Sequence, residues 1–154
     1  MIEHGLKQGL PPRLDLAREK ALHQFILAAA DAKKLVSCHD LSEGGLMVAL
    51  AECCIKNAEG LGAVVPSLDS VRKARPELRN DALYFGESQS RVLLSVKPEH
   101  QKDIRNLAKK QEVALYEIGK VGGDALSVED RIHLAVRNLK KLFENTISNM
   151  MERQ

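Results

Sequence analysis

Apolar positions along this chain change period several times, and each change marks an element. Residues 1–12 show no period and end in Gly9-Leu10-Pro11-Pro12, an extended lead-in. Asp15 is placed to cap a helix running to about residue 34. Leu22, Phe25, Ile26 and Ala29 line its apolar face, and Arg18, Glu19, Asp31 and Lys34 its wet one. The apolar run Leu35-Val36-Ser37-Cys38 predicts a buried strand. It leads into a polar, glycine-rich turn, His39-Asp40-Leu41-Ser42-Glu43-Gly44-Gly45. The run out, Leu46-Met47-Val48-Ala49-Leu50-Ala51, is apolar nearly all round and predicts a helix covered on most sides. Asn57 and Gly60 are its stop signals.

Beyond it, residues 61–65 read as a short β run closed by Pro66, and residues 67–79 as polar chain with a helical turn or two. The charged run from Arg72 to Arg79 reads as a solvated face. Residues 81–85 predict another short helix, which enters the polar cluster Gly86-Glu87-Ser88-Gln89-Ser90-Arg91. Val92, Leu94 and Val96 then form one face of a strand. Pro98 starts a helix at about Glu99, with Ile104, Leu107 and Ala108 as its buried stripe. Residues 113–118 read as a returning strand, completing a β–α–β unit with a right-handed crossover if the strands are parallel. Gly122-Gly123 predicts a hairpin turn, and residues 125–128 and 132–136 short strands. Leu139, Leu142, Phe143, Ile147 and Met150 mark a final helix. The expected fold is α+β (mixed α/β), a mixed β-sheet flanked by helices, with residues 13–154 forming one domain.

Composition narrows the function classes. A 154-residue chain with 44% hydrophobic residues supports a real core, and 3% aromatics make that core aliphatic. The 23 Lys and Arg are interspersed with 21 Asp and Glu, for a net charge of +2. That describes a solvated surface, so no nucleic-acid partner is expected. Cys38, Cys53 and Cys54 are odd in number and lack metal-site spacing, so they read as small buried thiols in a reducing cytosol. No apolar run is long enough to span a bilayer and the start lacks a signal peptide's apolar segment. The expectation is a soluble, cytoplasmic protein without membrane contact.

Two clusters carry the chemistry. The turn at residues 39–45 aims backbone N–H groups and a helix N-terminus at one point, which suits phosphate or carboxylate. Asp40 and Glu43 would repel an anion there unless a divalent cation sat between, so a Mg²⁺–phosphate contact is one reading. The other is a plain helix cap, with Ser42 as N-cap and Gly44 and Gly45 permitting close packing. Glu87, Ser88 and Gln89 offer an acceptor, a hydroxyl and an amide in succession, and Arg91 adds a fork of donors. That set suits a sugar, an amide or a phosphate, and equally a polar strand entry. His39 adjoins Asp40 and reads as orienting the turn. His4, His23, His100 and His133 have no metal-ligand spacing. Gly119-Lys120-Val121-Gly122-Gly123 lacks the spacing of a phosphate loop. No nucleophile–base arrangement can be argued from these positions.

Taken with their flanks, the clusters carry a resemblance. Leu14-Asp15-Leu16, then Ser37-Cys38-His39-Asp40-Leu41-Ser42-Glu43-Gly44-Gly45-Leu46 with Val48-Ala49-Leu50-Ala51-Glu52, then Phe85-Gly86-Glu87-Ser88-Gln89-Ser90-Arg91, then Ile118-Gly119-Lys120-Val121 resemble the phosphoribosylformylglycinamidine (FGAM) synthases. The likeness runs from about Gly9 to about Val136, and four motifs in order make it specific. Related turns occur in aminoimidazole ribonucleotide synthetase and other superfamily members, which lack the Gly-Glu-Ser-Gln-Ser-Arg cluster.

The resemblance implies a fold like the carboxy-terminal domain of aminoimidazole ribonucleotide synthetase, here as the last of four domains of a larger ligase. In that family an ATP-dependent reaction converts formylglycinamide ribonucleotide to its amidine, with ammonia from a partner glutaminase subunit or domain. It implies ligand or nucleotide contacts at His39, Asp40, Ser42, Gly44, Gly45, Glu87, Ser88, Gln89 and Arg91, with Asp40 as a Mg²⁺ ligand. The turn is of the second-half type, so these residues could instead serve a structural nucleotide. ATP and Mg²⁺ belong to the whole enzyme. The chain alone is expected to be inactive and to hold no cofactor tightly, with the other synthase domains as partners. Because the family's strand before Gly9 is missing, an open sheet edge offers a route to a homo-oligomer. The competing readings are a stand-alone nucleotide-binding or interaction module, and a domain of another superfamily member.

Overall fold

The computed structural model describes residues 14–56 and 61–152; the predicted lead-in, His4, Asn57 and Gly60 lie outside the described residues. Asp15 caps the first helix, α1 (Leu16–Asp31), by accepting the Arg18 N–H at 3.1 Å. The elements that follow are β1 (Ser37–Asp40), α2 (Gly45–Ile55), β2 (Ala63–Val65), α3 (Asp69–Ala74), α4 (Asn80–Phe85) and β3 (Val92–Ser95). A 3₁₀ turn (Pro98–His100) then enters α5 (Gln101–Lys110), and β4 (Lys120–Val121), β5 (Ala125–Val128), β6 (Ile132–Ala135) and α6 (Val136–Met151) complete the chain.

The strands form two sheets. β1 and β3 make an antiparallel ribbon, with Ser37 opposite Ser95 and Asp40 opposite Val92. The other sheet has the order β4-β2-β5-β6 and is mixed: β2 runs parallel to β5, and its other pairings are antiparallel. Helices flank both, as expected of this fold class.

β3 ties two apolar clusters together by the two-residue alternation of a strand. Val92 and Leu94 face the smaller cluster, where Leu22, Phe25 and Ala29 of α1 meet Ile104 and Ala108 of α5. Leu93 points the other way, onto the larger cluster of α2, α4, β2 and β5. The uniformly apolar α2 belongs to that larger cluster, with Leu46, Met47, Ala49, Leu50 and Cys54 buried.

Several expectations are corrected. Residues 113–118 form no strand, so β3 belongs to a ribbon with β1 and not to a β–α–β unit. Their apolar ends anchor to different clusters, Val113 to the smaller and Ile118 to the larger, which stretches the segment between two cores. β1 is not a buried strand: Ser37, Cys38 and Asp40 are exposed and His39 is half-buried. Cys38 is therefore not a buried thiol, Cys53 is half-buried, and only Cys54 is enclosed. Gly122-Gly123 does not turn a hairpin between neighbours, because β2 lies between β4 and β5. The Gly122 N–H donates to Gly62 O and the Gly62 N–H to Gly123 O, both at 2.8 Å, carrying the chain around the end of β2. The stripe on α6 leaves the core after Val136 and Leu139: Leu142, Phe143, Ile147 and Met150 are all exposed.

The charged run near Arg72 is not simply a solvated face. Arg72 forks onto Glu129, with Nη1 at 2.6 Å and Nη2 at 2.9 Å, while Glu129 also accepts the Leu68 N–H at 3.1 Å and the Tyr84 hydroxyl. These bonds draw α3, α4 and the β5–β6 turn together. Arg72 is the main reason the Glu129 carboxyl is pulled down to about 2 from its ordinary 4.5. A depressed folded-state value stabilises the fold above the ordinary value, and that contribution disappears as pH falls from about 4.5 towards 2. Glu129→Gln should cost about 2 kcal/mol at pH 7, because it removes the charge of a partly buried, doubly bonded ion pair. Urea titrations at pH 7 and pH 3 check this, since the variant should lose less stability on acidification than the parent chain.

Candidate functional site

Pairing of Asp40 with Val92 determines where the two polar clusters lie, since β1 ends where β3 begins. One further bond, Leu41 N–H to Arg91 O at 3.1 Å, extends the ladder into both loops. The turn after β1 and the loop before β3 are thus neighbours, although almost fifty positions separate them in the chain. Together with α1 they border an open cleft of about 480 Å³.

Alternation along β1 separates Cys38 and Asp40 from His39, and the buried Leu41 also borders the cleft. Cys38, Asp40 and Ser42 line the cleft, with Glu87, Ser88, Gln89 and Arg91 on the facing loop and Leu22 and Ile26 of α1 as an apolar wall. The structure therefore brings together six of the nine predicted site residues: Asp40, Ser42, Glu87, Ser88, Gln89 and Arg91. His39 points away. Its Nε2 lies 3.0 Å from Glu52 Oε2 on α2, and its Nδ1 lies 2.6 Å from the Asp40 carbonyl oxygen. It holds the turn against the helix behind it and does not line the cleft.

The two glycines do structural work. Gly44, at φ 76°, is the N-cap of α2, so Ser42 is not; Ser42 instead offers its carbonyl oxygen to the Gly45 N–H at 3.3 Å. The Gly44 N–H donates to Glu87 Oε1 at 2.8 Å. A carboxylate of the protein thus already occupies the donor that could have faced an external anion. At Gly45, φ 63°, a Cβ would meet backbone of Phe85 and Gly86 at 2.7–2.9 Å, so this residue lets α2 abut the end of α4.

Arg91 is also committed. Its Nη1 donates to Gly86 O at 2.8 Å and its Nη2 to Leu83 O at 3.1 Å, closing the carboxyl end of α4. Burial lowers its pKa, as expected of a guanidinium bonded to neutral carbonyls with no carboxylate partner among the described residues. What remains open to the cleft are the Asp40 carboxylate, the Ser42 hydroxyl and the side chains of Ser88 and Gln89. The latter two are exposed and make no hydrogen bond among the described residues. Among those residues no group of three His, Cys, Asp or Glu could hold a metal ion. Partial desolvation by its neighbours and, less strongly, Asp40 raise the pKa of the exposed Cys38 thiol, which leaves it a poor nucleophile.

Sequence reasoning missed the α1 side of this cleft. Glu19 and His23 line it, paired at 3.1 Å, and Glu19 also accepts the Ser90 hydroxyl. Nothing in the local pattern separates Glu19 from the other polar residues of an amphipathic helix. Gly45→Ala should lower stability by about 2–4 kcal/mol, combining a left-handed φ with a backbone clash. Thermal melts of the two chains check it, with a drop of roughly 5 °C or more expected.

Comparison with known proteins supplies the family. The profile described as "AIR synthase related protein, C-terminal domain" matches residues 1–131. The phosphoribosylformylglycinamidine synthase subunit PurL of Anaeromyxobacter sp. (strain Fw109-5) is 36% identical over 152 residues, covering 98% of this chain and 20% of that protein. The chain thus spans about a fifth of the length of the curated relatives it matches. Among solved structures, PurLQS from Thermotoga maritima aligns with a TM-score of 0.71 at 25% identity, over 82% of this chain and 22% of that one. T. maritima PurL complexed with ATP shares the fold, with a TM-score of 0.70 at 22% identity over 87% of this chain and 23% of that one. With a matching profile over most of its length and the mixed fold of its structural neighbours, the chain belongs to the AIR synthase related C-terminal domain family.

Proposed function

We propose that this chain is the carboxy-terminal domain of an FGAM synthase, the cytoplasmic ligase that uses ATP to convert formylglycinamide ribonucleotide to its amidine. One observation carries the reading: the two motifs that resemble this family converge on a single cleft, with the Ser88 and Gln89 side chains unengaged. A hydroxyl and a carboxamide next to Asp40 match the hydroxyl, amide and phosphate groups of a nucleotide. Ammonia would come from a partner glutaminase, and the reacting groups would lie in the other synthase domains.

Mg²⁺ fits this donor set as a cation that brings much of its own shell. Asp40 supplies one hard carboxylate oxygen at the cleft, and phosphate oxygens and water would fill the other positions. Bound there, the ion would neutralise phosphate charge beside Asp40. Glu87 serves the same end from the protein side, because its bond to Gly44 N–H keeps its carboxylate turned into the turn. Ser88 and Gln89 then orient the ligand through their free groups. The chain binds one side of the ligand and performs no chemistry alone.

Two measurements test this. The purified chain should show no turnover with ATP, formylglycinamide ribonucleotide and ammonia, and measurable turnover overturns the reading. Mg²⁺–ATP or Mg²⁺–ADP should raise its melting temperature by about 1 °C or less, because only ligands that prefer the folded state stabilise it and this cleft presents one wall.

A further inference from the structure

Ser90 is a non-glycine residue at φ 60°, in the left-handed region, at the end of the loop that presents Ser88 and Gln89. Such a conformation persists where surrounding bonds over-determine it. Two of those bonds come from the next residue, Arg91, whose guanidinium is tied to Gly86 O and Leu83 O. The Arg91 carbonyl oxygen is held by the Leu41 N–H. At the front of the loop, Glu87 is tied to Gly44 N–H. The remaining bond reaches across 71 positions: the Ser90 hydroxyl donates to Glu19 Oε2 on α1, while Glu19 Oε1 faces His23 Nε2 at 3.1 Å. Glu19 is half-buried and itself lines the cleft.

We infer that Glu19 is a positioning residue: by accepting the Ser90 hydroxyl from α1, it holds the Glu87–Ser90 loop in the form that turns Ser88 and Gln89 towards the cleft. The claim rests on the nucleotide reading of that cleft only for its functional consequence; the loop's order is independent of any ligand. α1 is packed against α5 through the buried Leu22, Phe25 and Ala29, so a bond to Glu19 anchors the loop to an element held by the core. The carboxylate is needed as an acceptor, and a carboxamide oxygen can take the same bond.

Amide hydrogen exchange on the 154-residue chain, in its parent form and as Glu19→Ala and Glu19→Gln, decides the matter. Exchange at the two amides bonded to this loop, Gly44 N–H on Glu87 and Leu41 N–H on Arg91 O, should rise about tenfold in Glu19→Ala and stay within about twofold in Glu19→Gln, with α2 and β5 unchanged in both. Unchanged loop exchange in Glu19→Ala, an equal rise in Glu19→Gln, or a rise spread over the whole chain each overturns the assignment. A second arm follows the backbone NMR shifts of Ser88 and Gln89 with millimolar Mg²⁺–ADP. The parent chain and Glu19→Gln should show weak saturable shifts, and Glu19→Ala about tenfold weaker ones. No shift in the parent chain overturns the nucleotide reading alone, whereas equal shifts in all three overturn the functional consequence drawn for Glu19.

Discussion

The antiparallel register that places Asp40 opposite Val92 is the constraint on which the rest depends. A two-stranded ribbon has little stability of its own. Here it is held from both sides, because Val92 and Leu94 enter one apolar cluster and Leu93 the other. A slip of one residue would exchange those faces and turn Asp40 towards α2 and His39 towards the cleft. Packing of aliphatic side chains thus decides which polar groups reach solvent at the far end of the ribbon.

Most charged groups near that end are occupied with the fold itself. Arg91 closes α4, Glu87 satisfies the first turn of α2, His39 reaches back to Glu52, and Glu19 fastens Ser90. The same economy appears away from the cleft, where Arg72, Tyr84 and Glu129 join three elements through one partly buried carboxylate. Engagement of this kind separates supporting residues from presenting ones. Ser42, Ser88 and Gln89 stand apart because their side chains border the cleft with no hydrogen bond among the described residues, and Asp40 keeps only a loose contact with His39 Nδ1 at 3.8 Å.

Much of this was legible in the residues and some was not. The helix capped by Asp15, the apolar α2 and the stripe of α5 follow from local periodicity, and each is where the pattern places it. Both polar clusters were legible as clusters, and their family likeness anticipated that they belong together. What local pattern cannot encode is partnership. Residues 113–118 have strand-like composition, yet two distant clusters pull on their ends and leave them unladdered. Ser42 has the right side chain for an N-cap, but the left-handed Gly44 takes that position because Glu87 supplies its hydrogen-bond partner. Arg72 looked like one more surface cation until Glu129, 57 positions later, came within reach. In each case the deciding group lies far along the chain.

The placement of β2 between β4 and β5 also bears on how the chain reaches this state. β2 ends at Val65, but both of its neighbours come from residues 120–128. During synthesis the apolar face of α2 therefore waits for more than fifty further residues before Leu126 and Val128 arrive to cover it. Closing so large a loop precedes any gain from the contacts it permits, which slows acquisition of the native topology. Until then the nascent chain can cover α2 only in part, through α4, and this is the period in which assistance against aggregation matters most.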